Sequence, residues 1–548
     1  MTFKSELKDA VEPSQTKPIL GREDEMIENA AGGYVFEVDV WNRLERFLII
    51  GTEGGTYYAT EKKTTLDNVV ATQTLIKKDG MKVVNIVLDV SSKGRAPKND
   101  QALFVLALVV ALGDPLAKSY ALSSLHKVAR TGTHLFQFVD FLKSLRALSG
   151  RATKRAIAQW YIKRDLDRLQ VQVTKYRQRG GWSHRDILRL VHPVAPTQEM
   201  NNLFQWVVDR EKANLSDDGK PETLQGHYIR TFEALQQARD EDEAVSVLRS
   251  EHSFTHEMVP TEVKGAKVWK ELMPRLPINA LVRNLPTLTR LDLIKPMSEE
   301  EAGIVNKLKD PELLSAGRVH PINMLIALYT YQGGKSLRGS STWNPVPAIS
   351  EALEDGFYAA FHGLPEISKR VYIAVDVSSS MAWGNSYRRC GSGKIPFPDI
   401  PDFSPMVVSA ALSLCLQRQC NKSIIRGFCH EMRDLGYTHH TSLREARDLI
   451  SNVGFGGTDC ALPMIDALHC GIEVDAFIVL TDDETWAGEI HPAQALQDYR
   501  NKTGINAKMV VAGMTSTNCT IADPEDPGML DVVGFDAALP KTLEEFIR

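Results

Sequence analysis

From about residue 30 to residue 355 the apolar positions return every three or four residues, as in ALSSLHKVARTGTHLFQFVDFLKSLRAL (121–148) and SVLRSEHSFTHEMVP (246–260). That is the period of helices with one buried face. Gly, Pro and polar clusters interrupt it at SKGRAPKND (92–100), LSDDGKPET (215–223) and YQGGKSLRGSST (331–342), so ordinary helices joined by short turns are expected. Helical hairpins without a crisp repeat consensus predict an all-α solenoid of degenerate HEAT-like pairs, with an irregular helical domain as the alternative. After residue 368 the period changes. RVYIAVDVS (370–378), SIIRGFC (423–429), VDAFIVLTDD (474–483) and AKMVVAGM (507–514) are β-branched runs separated by helix-like stretches such as PMVVSAALSLCLQRQ (405–419). Strands alternating with helices predict a doubly wound α/β domain whose parallel sheet is covered on both faces.

Length agrees with this division, since 548 residues are too many for one core. The most apolar stretch, ALFVLALVVAL (102–112), is about half of a membrane span and reads as a buried helix. MTFKSELKDAVEPSQTK at the N-terminus lacks the apolar region of a secretory signal, so no export is expected. The seven cysteines form no C-x-x-C pair and all follow residue 389, which argues against a disulfide framework or a zinc ribbon and marks the second domain. The formal charge of −5 decides nothing about partners, because a local basic stripe works on an acidic protein.

In open α/β sheets ligands sit at the carboxyl ends of strands. VYIAVDVSSSM (371–381) delivers Asp376, Ser378 and Ser380 there, alternation aiming them one way as the strand enters its loop. A second strand, DAFIVLTDDET, ends in Asp482, and the Gly-rich turn GFGGTDC brings Thr458. Carboxylates and hydroxyls without imidazole or thiolate suit a hard divalent cation, and sparse ligation with room for water suits Mg²⁺. The plain alternative is that Asp376 caps the following helix while the serines solvate a turn. Asp483 reads as a carboxylate behind the site or on the surface. Ser378 stands where a phosphatase with an aspartyl nucleophile would have its second carboxylate, and no G-x-S-x-G elbow occurs. GGKS (333–336) has Tyr329 where a phosphate loop needs its first Gly. No catalytic residue is assigned, and an enzyme is not expected.

D-x-S-x-S, a distant Thr after Gly-Gly and a later T-D at a strand end resemble the metal-ion-dependent adhesion site of von Willebrand factor A domains. The resemblance implies that Asp376, Ser378, Ser380, Thr458 and Asp482 hold the metal directly or through water, and that a carboxylate-presenting protein takes the open position. The insertion at 382–404 is longer than the link expected there and bears on access to the metal.

Charge is lopsided in one place. Residues 151–192 hold eleven Lys/Arg against three Asp. Within them TKYRQRGGWSHRDILRLVHP (174–193) interleaves Tyr176, Trp182, His184 and His192 with cations. Flat rings stack on unpaired bases while cations neutralise phosphates, the recipe for single-stranded or looped RNA. A solvated helix face with a core Trp and structural histidines fits the same composition.

GYVFEVDVWNRLERFLIIGTEGGTYY (33–58), RTGTHLFQFVDF (130–141), KYRQRGGWSHRDILRLVHP, RVHPINMLIALYTY (318–331), GGTDCALPM (456–464), TDDETWAGEIHPAQAL (481–496) and AGMTSTNCTIADPEDPGMLDVVGFD (512–536) closely resemble the Ro ribonucleoprotein family, founder of the TROVE module, in order along nearly the whole chain. The resemblance implies a flexible N-terminal segment (1–29), a TROVE ring of HEAT-like helices (30–365) and a von Willebrand factor A-like domain (369–548) that closes it. It implies a monomeric ring, found in cytoplasm and nucleus, whose basic hole takes the single-stranded 3′ ends of misfolded small noncoding RNAs. Y RNA is implied on an outer basic surface, contacted by Lys175, Arg179 and His192, with Gln178, His184, Arg185 and Arg189 as further candidates. Gly180 stands where relatives are expected to have Asn, which would loosen that loop. Lys154 and Arg155 suit either surface, and the Gly-Gly of EGGTYY (53–58) suits a tight turn. The rival reading is a metal-dependent protein-binding adaptor acting through the A domain.

Overall fold

The structure, a computed structural model, describes residues 14–51, 61–209, 224–336, 340–361, 365–382, 404–438, 440–453 and 456–548. The EGGTYY turn and nearly all of the 382–404 insertion lie outside the described residues.

Helices run from Val40 to Ala359, each packed on others close to it in the chain. Their starts follow local chemistry. Asp114 accepts from the amides of Leu116 and Ala117 ahead of Pro115, Asp165 from Arg168 and Thr197 from Met200, which satisfies donors the first turn cannot pair internally. The helix Asp100–Leu112 buries Leu103, Val105, Leu106, Leu108, Val109 and Val110. It is apolar all round because neighbours cover it all round, and no described helix is long and apolar enough to cross a membrane.

The array returns to its beginning. Arg318 Nε donates to the carbonyl of Ser92 at 3.1 Å, and His320 Nε2 lies 3.0 Å from the carbonyl of Arg95. The C-terminal domain grips both ends of the array. Arg95 pairs with Asp536 at 2.6 Å, while Tyr329 Oη donates to the carbonyl of Leu443 at 3.1 Å and Glu354 accepts from the Leu443 amide at 2.9 Å. The helical ring closed by an α/β domain is therefore the fold that the sequence predicted.

Two expectations about the N-terminal region need correction. Tyr34–Glu37 is a strand (β2), paired antiparallel with Met26–Glu28 (β1) on one edge and with Cys519–Thr520 (β10) on the other. Four residues of pattern cannot be told from helix when a partner strand lies nearly 500 positions away. Of the segment expected to be flexible, residues 1–13 lie outside the described residues, but 14–29 are fastened to the A domain. Gln15 is fully buried, donates through Nε2 to Asp459 Oδ1 (2.8 Å) and the Ile490 carbonyl (2.7 Å), and accepts from Thr485 Oγ1 (2.7 Å).

The main sheet has the order β11-β9-β8-β5-β6-β7, from Ile367–Asp376 (β5), Cys420–Phe428 (β6), Met432–Arg433 (β7), Ala476–Thr481 (β8), Lys508–Gly513 (β9) and Met529–Val533 (β11). All but β7 run parallel. Alternation divides β5: Val371, Ile373 and Val375 enter the core shared with the helical array, while Tyr372 and Ala374 enter a second core with Phe477, Val479 and Tyr499. From β5 the chain passes to β6 on one side and returns to β8 on the other, which opens a crevice at the carboxyl ends of β5 and β8.

Candidate metal centre and RNA surface

The crevice holds the predicted oxygen cluster. Asp376 Oδ1 accepts from the Ser378 amide (2.8 Å) and Oδ2 from Thr481 Oγ1 (2.6 Å). Ser378 Oγ and Ser380 Oγ lie 3.0 Å apart, and the Ser380 hydroxyl is hydrogen-bonded to Asp482. Thr458 is held beside the Asp482 loop, its carbonyl accepting from the amides of Trp486 and Ala487 at 3.0 Å. All five residues are buried.

Burial raises the Asp376 carboxyl above the ordinary carboxylate range, and burial together with the Asp376 charge raises Asp482 as well. Among the described residues no Lys or Arg pairs with either. Two buried carboxylates and two hydroxyls facing one another without a cation form a hard-oxygen donor set that fits a dication such as Mg²⁺. Asp483, by contrast, has its cation. It is fully buried, not on the surface, and accepts from Arg46 Nη2 at 3.4 Å and from the Ile521 amide at 3.2 Å. Its φ of 65° turns the chain sharply between the two aspartates.

The loop 482–488 has a support that the sequence did not disclose. Asn29 Nδ2 donates to the Thr485 carbonyl at 2.8 Å, the Ala31 amide donates to Glu484 at 3.1 Å, and Gln15 bridges Asp459 and Thr485. A Cβ on Gly33 would come within 1.8 Å of the Thr485 carbonyl oxygen, so this strap lies flush on the loop. The pairing of β1 with β2 and of β2 with β10 puts these residues next to the site.

The basic segment forms a hairpin and a helix. Gln178–Arg179 (β3) pairs with Trp182–Ser183 (β4) across Gly180 and Gly181, with φ of 57° and 80°. Two left-handed positions in a two-residue turn define the tight hairpin that Gly supports best and Asn tolerates, and no atom lies within 4 Å of a Cβ on Gly180. Ser183 and Asp186 cap the helix His184–Val191 reciprocally. Gln178, Arg179, Arg185, Arg189 and His192 are exposed, with Arg185 and Arg189 one turn apart on one face.

Two candidates differ from expectation. His184 is not on this surface. It is buried, Nδ1 lies 2.8 Å from Tyr161 Oη, its ring packs on Phe136 and Trp160, and burial lowers its pKa to about 3. Helix capping puts it at the first position of a turn whose inward side it fills, so it is a neutral core residue. Lys175 is half-buried, and its ammonium lies 3.3 Å from Glu257. Although burial opposes it, the His256 hydrogen bond and the Lys175 charge hold the Glu257 carboxyl down at about 2. Trp182 is tied by Nε1 to Asp140 at 3.1 Å with Lys143 over its ring.

Other cations converge only in three dimensions. A groove of about 420 Å³ is lined by Lys118, His126, Arg155 and Lys163, and one of about 600 Å³ by His126, Arg130, Lys163 and Arg168. A third, about 430 Å³ on the seam of the ring, has Lys98, Arg130, Arg283 and Arg318 on its walls. Shared residues make the three contiguous, and Arg155 belongs to them. Arg283 and Arg318 escape sequence reading because no local charge run marks them.

A closed ring of helices, joined to an A-type domain and carrying its cations on surfaces separate from the buried oxygen cluster, defines a helical-repeat binding protein. The TROVE domain family matches residues 27–218 and 221–329, and the Ro60 vWA domain family matches residues 370–547. The chain is 37% identical to the RNA-binding protein RO60 of Deinococcus radiodurans over 535 residues, 97% of either chain. To the RNA-binding protein RO60 of Caenorhabditis elegans it is 32% identical over 96% of this chain and 90% of that one. The crystal structure of the Deinococcus radiodurans RO (RSR) protein superposes with a TM-score of 0.69 at 36% identity, covering 93% of this chain and 99% of that one. The chain belongs to the Ro60 family of RNA-binding proteins.

Proposed function

We propose that this chain binds Y RNA on the exposed hairpin–helix surface and captures single-stranded 3′ ends of misfolded small noncoding RNAs in its basic grooves. It acts as a ribonucleoprotein scaffold for RNA surveillance in cytoplasm and nucleus, as a monomeric ring, without chemical change to the RNA. The observation that carries the reading is the outward row of Arg179, Arg185, Arg189 and His192 on a rigid helix and hairpin. Arginines that are exposed, close together and backed by a packed core are placed for phosphate contact at little ordering cost. Lys175 joins them once Glu257 yields it. The test is filter binding of a structured Y RNA and of a small RNA with a frayed 3′ end, to the wild type and to Lys175/Arg179/His192→Ala. Loss of Y RNA binding with an intact fold supports the reading; unchanged binding overturns that surface.

The A domain supports a second activity beside the first. Asp376, Ser378, Ser380, Thr458 and Asp482 would hold Mg²⁺, which supplies a charge centre able to take a carboxylate from a partner protein. Asp376→Ala then removes the partner and leaves RNA affinity as it was.

A further inference from the structure

Outside both sites, one cluster combines nitrogen and oxygen ligands. His227 lies in the helix Leu224–Gln237, and Glu251 and His252 follow the helix Glu241–Leu248. His227 Nδ1 is 2.7 Å from His252 Nε2 and 3.0 Å from Glu251 Oε1, and His252 Nε2 is 3.8 Å from the same oxygen.

Protons alone serve this arrangement poorly. If Nδ1 of His227 carries a hydrogen for Glu251, it has no lone pair left for His252. One N–H cannot point at both acceptors when they lie 3.8 Å apart at such short range. The ring centroids are 4.9 Å apart and tilted by 52°, so the imidazoles are not stacked and the two nitrogens are their nearest edges. Three ligand atoms around tetrahedral Zn²⁺, with bonds of about 2.0–2.1 Å, stand about 3.3 Å from one another. The observed triangle spans that spacing.

The ligands are also supported. Tyr228 packs on the His252 ring with centroids 5.2 Å apart, Phe254 lies 6.1 Å away on the same ring, and Thr174 Oγ1 lies 3.0 Å from Tyr228 Oη. His252 is thus oriented by aromatic neighbours, whereas His227 and Glu251 are open enough to admit an ion.

We propose that His227, Glu251 and His252 form a site for a borderline transition cation of the Zn²⁺ type, completed by water. Two imidazoles and one carboxylate favour such an ion over Mg²⁺. The ion ties the helix Leu224–Gln237 to the segment after residue 250, beneath the helix that ends in Lys175. The inference is independent of the RNA reading.

The test is titration of the full chain with Zn²⁺ by calorimetry against a competing chelator, repeated with Co²⁺ while its visible absorption is followed. Zn²⁺ should occupy this site alike in the wild type and in Asp376→Ala, which removes only the hard-oxygen site. His252→Ala and His227→Ala should each weaken it by more than about 100-fold, beyond the roughly 10–100-fold that loss of a mere outer partner costs. Glu251→Gln, an exposed change that keeps the fold, should weaken it too. Equal Zn²⁺ uptake by wild type and the His227/His252→Ala double variant, or no uptake at all, would overturn the site.

Discussion

The metal crevice and the RNA surface are built in opposite ways. The crevice gathers Asp376, Ser378, Ser380, Thr458 and Asp482 from two strand ends and a loop, all five buried, and leans on a strap beginning at Gln15. The RNA surface comes from one stretch of eighteen residues, 175–192, and its candidates are exposed apart from His184 and Lys175. Buried charges stand or fall with the fold, because a low-dielectric setting leaves an unpaired group no water to turn to. Exposed arginines can be removed singly while the helix beneath them persists.

The sharpest way to break this contrast is at Arg46, which lies behind the crevice. It is fully buried, pairs with Asp483 and Asp531, and donates from Nη1 to the Cys519 carbonyl at 3.0 Å. Arg46→Ala strands two buried carboxylates and should destabilise the protein by about 3–5 kcal/mol in chemical denaturation. A loss no larger than that of an exposed substitution would remove the distinction. Next, Asp376→Ala should abolish Mg²⁺ binding in calorimetry and spare RNA. Gln15→Ala, which frees Asp459 and Thr485, should weaken Mg²⁺ binding without touching any ligand.

On the other side, Arg179/Arg185/Arg189→Ala should leave the unfolding midpoint in place and make the log–log salt dependence of Y RNA binding shallower by about 2–3, roughly 0.7–0.9 for each phosphate no longer neutralised. His184 separates the two behaviours within one helix. Its folded imidazole stays neutral down to about pH 3, whereas in the unfolded chain it takes up a proton near 6.5. Stability of the helical domain should therefore fall progressively as pH drops below about 6.5, and His184→Gln should flatten that slope in pH-dependent melting curves. The smallest effect is expected from Glu257→Gln, which releases Lys175 and should tighten RNA binding slightly at low salt only.

The helical period, the switch to β-branched runs and the strand-end motif are legible in the sequence because each is written within a dozen residues. Asp376, Ser378, Ser380 and Asp482 meet at one crevice, and the Thr458 backbone is held beside the Asp482 loop. His184 misleads because a His beside arginines looks like a contact, and only the capping geometry of Ser183 and Asp186 turns it inward. The partner of Lys175 is invisible for a different reason, since Glu257 is over eighty positions away.

Local chemistry by itself determined which of the longer segments become helices or strands, where they start, and which oxygens and cations stand at their ends, because backbone propensity, capping and side-chain period act over a few residues. Only tertiary structure decided that residues 14–37 would brace a loop near residue 485, that Arg318 and Ser92 would close a ring, and that His227 and His252 would face one another. Those outcomes depend on which surfaces find complementary partners once the chain has collapsed, and pairing across hundreds of residues leaves no local mark.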